Sequence, residues 1–268
     1  MSGDCWNDEP LRVGILIKAM LIRLSKAAIQ KTLKRFGREI RHVEKPVPED
    51  PKFAWLGKLG IKTVLDIGAN VGEFSQMMTR ILPGCQIYAF EPLEECVVVL
   101  RNNLAGYPQF QVFNTALGNY SGGASMRRNA LTYASSLLEN TELHLQNYPE
   151  LKQSSHAVSV SVSALDQMAE EMRLEPALLI KIDVEGYTKQ VIEGGSRTLD
   201  RAHAVIIEAS YWPLYQGQVL FDWVYDAMRQ KGFRYAGNVK QQLSPVDGSV
   251  LQADAVFVNE TAYRRLRE

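Results

Sequence analysis

The chain has 268 residues, of which 46% are hydrophobic, 22% charged and 9% aromatic, an ordinary globular composition that argues against disorder, collagen and a disulfide scaffold. Thirty basic and thirty acidic residues cancel, so no chain-wide field favours nucleic acid. Cys5, Cys85 and Cys96 are odd in number and show no C-x-x-C spacing, which suits a reduced, cytoplasmic setting.

In chain order, Asp4, Asp8 and Glu9 stand where a signal peptide would be basic. Arg12, Lys18 and Arg23 interrupt the best apolar stretch before it reaches the ~18 residues of a membrane span. Residues 11–43 carry nine basic side chains against Glu39, a net charge of +8 that leaves −8 for the remainder. Val13, Ile17, Met20 and Leu24, then Ile29, Leu33, Phe36, Ile40 and Val43, recur three or four apart. That spacing predicts an amphipathic helix with one phase slip near Ala27. Packing of its apolar stripe on the rest of the chain is the first expectation, and peripheral contact with an anionic membrane is the second. Residues 44–51 contain Pro46, Pro48 and Pro51 and read as a stiff linker. The expected organisation is a helical extension with linker over 1–50 and one α/β domain over 51–268.

Strands and helices then alternate. Predicted strands cover 63–67, 86–90, 110–115, 157–162, 178–182 and 204–207, with two late strands at 233–236 and 255–258. Helices are predicted over 73–82, 93–104, 164–172, from about 187 to 199, and over 219–231. Residues 118–155 are polar, with Gly122-Gly123 and Ser135-Ser136, and read as hairpins and loops. Strands separated by helices imply βαβ units and a mostly parallel sheet; the two closing strands imply an antiparallel edge pair.

Ligands bind such a sheet beyond the carboxyl ends of its strands. Those ends carry acids and glycines and no Walker lysine, so phosphoryl transfer is not expected. Gly68 and Gly72 allow a tight turn and close backbone approach. Glu91 falls 23 residues after Gly68, where an acid can accept hydrogen bonds from both ribose hydroxyls. A dinucleotide fingerprint needs G-x-G-x-x-G, and Gly68-Ala69-Asn70-Val71-Gly72 is one residue short. Asp66 followed by G-x-N-x-G, coupled to Glu91, fits S-adenosylmethionine instead.

Four segments, Val64-Leu65-Asp66-Ile67-Gly68-Ala69-Asn70-Val71-Gly72, Ala89-Phe90-Glu91-Pro92, Ala116-Leu117-Gly118 and Ile180-Lys181-Ile182-Asp183-Val184-Glu185-Gly186, resemble the successive motifs of the FkbM-family methyltransferases. The resemblance covers about residues 60–210. It implies a class I methyltransferase (Rossmann-like) fold, with a seven-stranded, mostly parallel sheet whose last strand is antiparallel. It also implies O-methylation, often of a sugar hydroxyl. Asp66, Gly68, Asn70, Gly72, Glu91, Ala116 and Leu117 are the residues expected at the cofactor. Thr188 stands where the family commonly has an acid.

A sulfonium methyl is already activated, so the enzyme must align a nucleophile and exclude water. An alcohol benefits from a base within hydrogen-bond reach. Asp183 is the first candidate. Lys181, two residues earlier on the same strand face, either orients Asp183 or the acceptor, or is a scaffold lysine reaching solvent. Glu208 ends the next strand, and with Asp183 could share a hard cation, although two carboxylates are too few for a metal site to be expected. Tyr211, Trp212 and Tyr215 are candidates for the rim of an acceptor site. The expected substrate is a small molecule or glycan bearing a hydroxyl. A macromolecular acceptor (RNA or protein) and a non-catalytic cofactor-binding scaffold are the alternatives. No aromatic-basic interleaving for RNA appears on the basic segment.

Overall fold

The central strands are nearly unbroken apolar runs, as parallel strands covered on both faces must be. In the computed structural model, which describes residues 52–129, 131–152 and 155–267, β1 (Thr63–Ile67) and β7 (Leu178–Ile182) are buried at every position. β2 (Gln86–Phe90) is buried at all but its first residue. The predicted N-terminal helix and linker lie outside the described residues.

Seven strands form one sheet in the order β3-β2-β1-β7-β8-β10-β9, with β3 at Phe110–Phe113, β8 at Ala202–Ser210, β9 at Arg234–Leu243 and β10 at Val250–Val258. Pairing is parallel from β3 to β8, and β10 runs antiparallel to both of its neighbours. This is the class I methyltransferase topology, with the last strand reversed.

Alternate side chains of the strands feed two cores. Leu65, Ile67, Ile180, Ile182, Val205 and Ile207 point to one face. There they meet Leu165 of α5 (Leu165–Met168), Val191 and Ile192 of α6 (Thr188–Gly194), Leu199 of α7 (Ser196–Leu199) and Val224 and Met228 of α8 (Phe221–Gln230). Val64, Ile87, Leu179 and Ile206 point to the other, against α1 (Leu56–Leu59), α2 (Glu73–Ile81) and α9 (Glu260–Arg267). The period of two in strand side chains sorts one sequence into two buried layers.

Several predicted boundaries move. The helix expected over 164–172 is one turn, α5, and the helix expected to reach 199 divides into α6 and α7 at Gly195; a Gly194-Gly195 pair is poor helix interior. β8 continues past 207 because β10 pairs with it as far as Gln252↔Ser210. Glu208 therefore lies inside a strand. The polar stretch contains more structure than expected: β5 (Gly122–Arg128) and α4 (Glu142–Asn147) lie within it, and β5 joins β4 (Ala116–Gly118) and the predicted strand β6 (His156–Ala164) in a second sheet. β5 reads as a loop because it opens with two glycines and buries only Met126, which meets Val160, Leu93 and Cys96. Those last two belong to the start of α3 (Glu94–Asn103) and the residue before it.

The chain order reverses between β1 and β7, whose registered pairs Asp66↔Lys181 and Ile67↔Ile182 bring their carboxyl ends side by side. In open α/β sheets the ligand crevice opens at such a switch point. Gly72 ends the turn leaving β1, with φ 87°. A Cβ there would stand 2.1 Å from the Leu100 Cδ1 atom.

Gly72→Ala should destabilise the protein by both strain and overlap, on the order of 3 kcal/mol in all. Adding Leu100→Ala removes the overlap, so the double variant should be less destabilised than the sum of the singles by about 0.5–3 kcal/mol. Urea unfolding of the four proteins measures the cycle; strict additivity would show that the Gly72–Leu100 approach is not what requires glycine.

Candidate active site

The turn after β1 is held by the neighbouring strand. Gly68 and Ala69 both donate their N–H to the Phe90 carbonyl at 3.0 Å. Gly68 has φ 79°, and a Cβ on it would stand 1.7 Å from the Asp183 carbonyl oxygen, so backbone passes against backbone here. Asn70, also left-handed at φ 46°, donates its N–H to the Glu91 Oε2 atom at 2.8 Å. The Leu93 N–H donates to Glu91 Oε1 at 2.9 Å. Each Glu91 oxygen keeps a further lone pair for a ligand hydroxyl. Glu91 is buried, and burial pushes its pKa up to about 7 despite both backbone donors. Glu91, Gly68, Ala116, Leu117, Tyr133 and Val184 line one pocket.

Beside it a larger cleft of about 680 Å³ is lined by the same turn, by Asp66, and by the carboxyl ends of β7 and β8. Lys181 is only 5% exposed. Its Nζ donates to Asp183 Oδ2 at 2.7 Å and pairs with Asp254 Oδ1 at 3.4 Å. Burial disfavours this ammonium, but attraction to Asp183, Asp254 and Glu208 outweighs it and holds the pKa above the ordinary lysine value. Burial opposes the Asp183 charge too, yet Lys181 brings its pKa below the usual range. Glu208 accepts a hydrogen bond from Gln252 Nε2 at 2.6 Å. Burial, then repulsion from Asp183 and Glu185, raises its pKa far above normal. Burial followed by Asp183 pushes Glu185 up to about 8, while Tyr215 donates its hydroxyl to Glu185 Oε2 at 2.7 Å. Asp66 is raised to about 6 by burial, with Ser75 Oγ donating to it at 2.6 Å. The switch point thus holds an acidic network around one buried cation.

Asp183, Glu185 and Glu208 each bring one oxygen within 4.8 Å of the others, the one such acid, histidine or cysteine group among the described residues. A hard cation could reach those oxygens, but it would compete with an ammonium already bonded to Asp183.

The structure gathers Asp66, Gly68, Asn70, Asp183, Lys181 and Glu208 around the cleft, and Gly68, Glu91, Ala116, Leu117 and Asp183 around the pocket. Gly72 lines neither; its glycine answers to Leu100, not to an open cavity. Lys181 is not a lysine reaching solvent. Tyr211 and Trp212 do not line the cleft, and Tyr215 is 1% exposed, meeting the network through its hydroxyl alone. Thr188 is buried at the start of α6, where an acid would lose hydration. Asp254 and Gln252 were not anticipated, although their i, i+2 spacing puts them on one face of β10. Glu185 lay inside a recognised motif, but its partner Tyr215 is 30 residues away.

The family model described as the methyltransferase FkbM domain matches residues 66–235, which is most of the chain. The chain belongs to the FkbM methyltransferase family. Among similar proteins, 2-O-methyltransferase NoeI of Sinorhizobium fredii is 26% identical over 215 residues, covering 78% of this chain and 86% of that protein. Methyltransferase 1 of Beauveria bassiana is 29% identical over 184 residues, covering 65% and 72%. A solved FkbM methyltransferase from Methylobacillus flagellatus aligns with a TM-score of 0.47 at 15% identity; it covers 74% of this chain, which spans 44% of that longer one. An O-methyltransferase from Bacillus cereus aligns with a TM-score of 0.44 at 15% identity, covering 90% of each chain. This FkbM protein is an S-adenosylmethionine-dependent methyltransferase. Its site fits that cofactor: the buried Glu91 carboxyl, with lone pairs to spare, stands beside a turn at Gly68 with no room for a side chain.

Asp66, Glu91 and Glu185 all have folded pKa values above their ordinary ones. Between the two values the folded state binds more protons than the unfolded chain, so stability falls as pH rises through that window. The cofactor-free protein should therefore melt at a higher temperature near pH 5.5 than near pH 8, and Glu185→Gln should flatten the alkaline part of the curve. Scanning calorimetry across this range measures it; a melting temperature that rises steadily to pH 8 would contradict the burial of these carboxyls as uncharged groups.

Proposed function

We propose that the protein transfers the methyl group of S-adenosylmethionine to a hydroxyl of a saccharide or other small hydroxylated metabolite. The observation that carries this reading is the Lys181–Asp183 pair, which faces the same cleft as the glycine turn. The name of the similar NoeI protein, a 2-O-methyltransferase, favours an oxygen acceptor. Asp66, Gly68, Asn70, Glu91, Ala116 and Leu117 hold the cofactor in this reading, with Glu91 accepting from the ribose hydroxyls. The bound cofactor supplies an electrophilic methyl group. Asp183, kept ionised by Lys181, would accept the acceptor's O–H as a hydrogen bond and take its proton, while the methyl would pass to that oxygen as its C–S bond breaks and S-adenosylhomocysteine leaves. Lys181 fixes the carboxylate for in-line approach, and Glu208, whose pKa burial raises well above normal, supports the charge on Asp183 by hydrogen bonding.

Within the same reading, residues 51–268 are the catalytic domain, and peripheral contact with anionic membranes is a secondary role of the basic segment 11–43. No helix among the described residues is long and apolar enough to cross a membrane. A cytoplasmic location agrees with the unpaired Cys85 and Cys96.

Glu91→Ala removes charge-assisted hydrogen bonds worth on the order of 1.5–3 kcal/mol each, so S-adenosylhomocysteine should bind roughly 10- to 1000-fold more weakly by calorimetry, with melting still cooperative. Unchanged affinity would move the ribose elsewhere.

Asp183→Asn should abolish most methyl transfer, followed with isotope-labelled S-adenosylmethionine and metabolite pools by mass spectrometry, while sparing S-adenosylhomocysteine affinity. Wild-type activity should survive chelation; loss restored by a divalent cation would make Asp183 a metal ligand instead.

A further inference from the structure

A side pocket of about 80 Å³ adjoins the cleft, and Tyr133, Glu185 and Gln242 line both. Methyl transfer as derived above uses none of the pocket's other residues. Glu185 fixes its place: one oxygen of this carboxyl lies within 4.8 Å of an Asp183 oxygen, so the pocket begins a few atoms from the proposed base. The rest of its wall comes from separate pieces of chain, with Ala134 after β5, His144 of α4, Tyr148 just beyond that helix and Gln252 of β10. A single water needs roughly 10–15 Å³ of such space, so there is room for a group of several non-hydrogen atoms.

The polar groups of this pocket form one hydrogen-bonded row that starts at the acids. Gln252 is buried, and its Nε2 donates to Glu208 Oε1 at 2.6 Å and to Gln242 Oε1 at 3.0 Å. Gln242 is thereby oriented to donate from its own Nε2 to the Tyr148 hydroxyl at 2.7 Å. Among the described residues nothing accepts the Tyr148 proton or the second N–H of Gln242, so the row ends on donors with bonds still to make. No cation lines the pocket. His144 stands edge-on to Tyr148 and Tyr215, and burial draws its pKa down to about 4. Tying β9 to the segment after α4 accounts for the Gln242–Tyr148 bond, but not for the space beside it or the donors left over.

Resting on the proposed small-molecule transferase, we propose that this pocket is a specificity subsite for the acceptor. It takes an uncharged, oxygen-bearing substituent, a hydroxyl or an amide carbonyl, carried on a carbon next to the one whose hydroxyl is methylated. The reacting hydroxyl lies at Asp183, the substituent passes Glu185, and its oxygen accepts from Tyr148 and Gln242. A phosphate or carboxylate there would meet Glu150 and Glu185 with no cation in the wall to offset them. An ammonium would leave both donors unmet. A site built to hydrogen-bond a substrate oxygen also rejects the analogue that lacks it, because its own polar groups are then left unpaired.

The test uses the full chain with isotope-labelled S-adenosylmethionine and a small-molecule cell extract separated by ion exchange into neutral, anionic and cationic pools. Wild-type protein should label the neutral pool, and tandem mass spectrometry should place a free hydroxyl or an amide on a carbon next to the new methyl ether. At limiting acceptor, Tyr148→Phe should lower this labelling about five- to tenfold, and Gln242→Leu should lower it at least as much. Concentrating the pool should restore most of it, an effect on KM, while S-adenosylhomocysteine affinity by calorimetry stays unchanged; whichever variant melts cooperatively carries the result. Labelling confined to the charged pools, a product without that neighbouring oxygen, or neutral labelling that the variants leave unchanged overturns the subsite while the transferase reading stands. A loss that concentrating the pool does not restore also overturns it, since the row would then serve structure alone. No labelling of any pool overturns both.

Discussion

The site depends on a lysine ammonium buried among carboxylates. Moving an ammonium out of water is costly, and Lys181 is tolerated because Asp183 and Asp254 bond to it from two different strands. The same attraction keeps Asp183 charged where burial alone would have protonated it. Burial, then repulsion from Asp183, raises the pKa of both Glu185 and Glu208, so neighbouring acids are shifted in opposite directions, as acid–base chemistry near neutral pH needs.

The glycine turn stands in a second dependence. Glu91 is on β2, yet it accepts the backbone N–H of Asn70 from the turn after β1 and that of Leu93 from the start of the next helical segment. The Glu91 carboxyl is therefore the clamp that shapes the backbone around it. Gly68 meets the Asp183 carbonyl and Gly72 meets Leu100, so the turn is wedged between the end of β7 and α3. The pocket and the larger cleft are joined by this piece of backbone, and Gly68 and Asp183 line both.

The segment between β4 and β6 closes the pocket from above. Thr132 donates to the Asn70 side chain, Ser136 to the Glu185 carbonyl, and Thr141 to the Pro213 carbonyl. Tyr133 lines both cavities while remaining 60% exposed. This stretch of low apolar content is fastened by side-chain hydrogen bonds together with small apolar clusters around Met126 and Tyr215.

The sequence by itself determined the alternation of strands and helices, the reversed last strand, and the pairing of a glycine turn with Glu91. Each is carried by local periodicity or short spacing, which burial on two faces of a parallel sheet imposes directly. It also placed Lys181 and Asp183 on one strand face. It did not determine β5, whose glycines and single buried methionine carry no strand period, nor the length of β8, which β10 sets from more than 40 residues away. The partners of the acids were decided by tertiary structure alone. Asp254 and Gln252 reach the site through antiparallel pairing of β10, and Tyr215 reaches Glu185 through the loop after β8. Protonation also belongs to the folded state, because desolvation and charge repulsion act between groups that the chain brings together only when the sheet is complete.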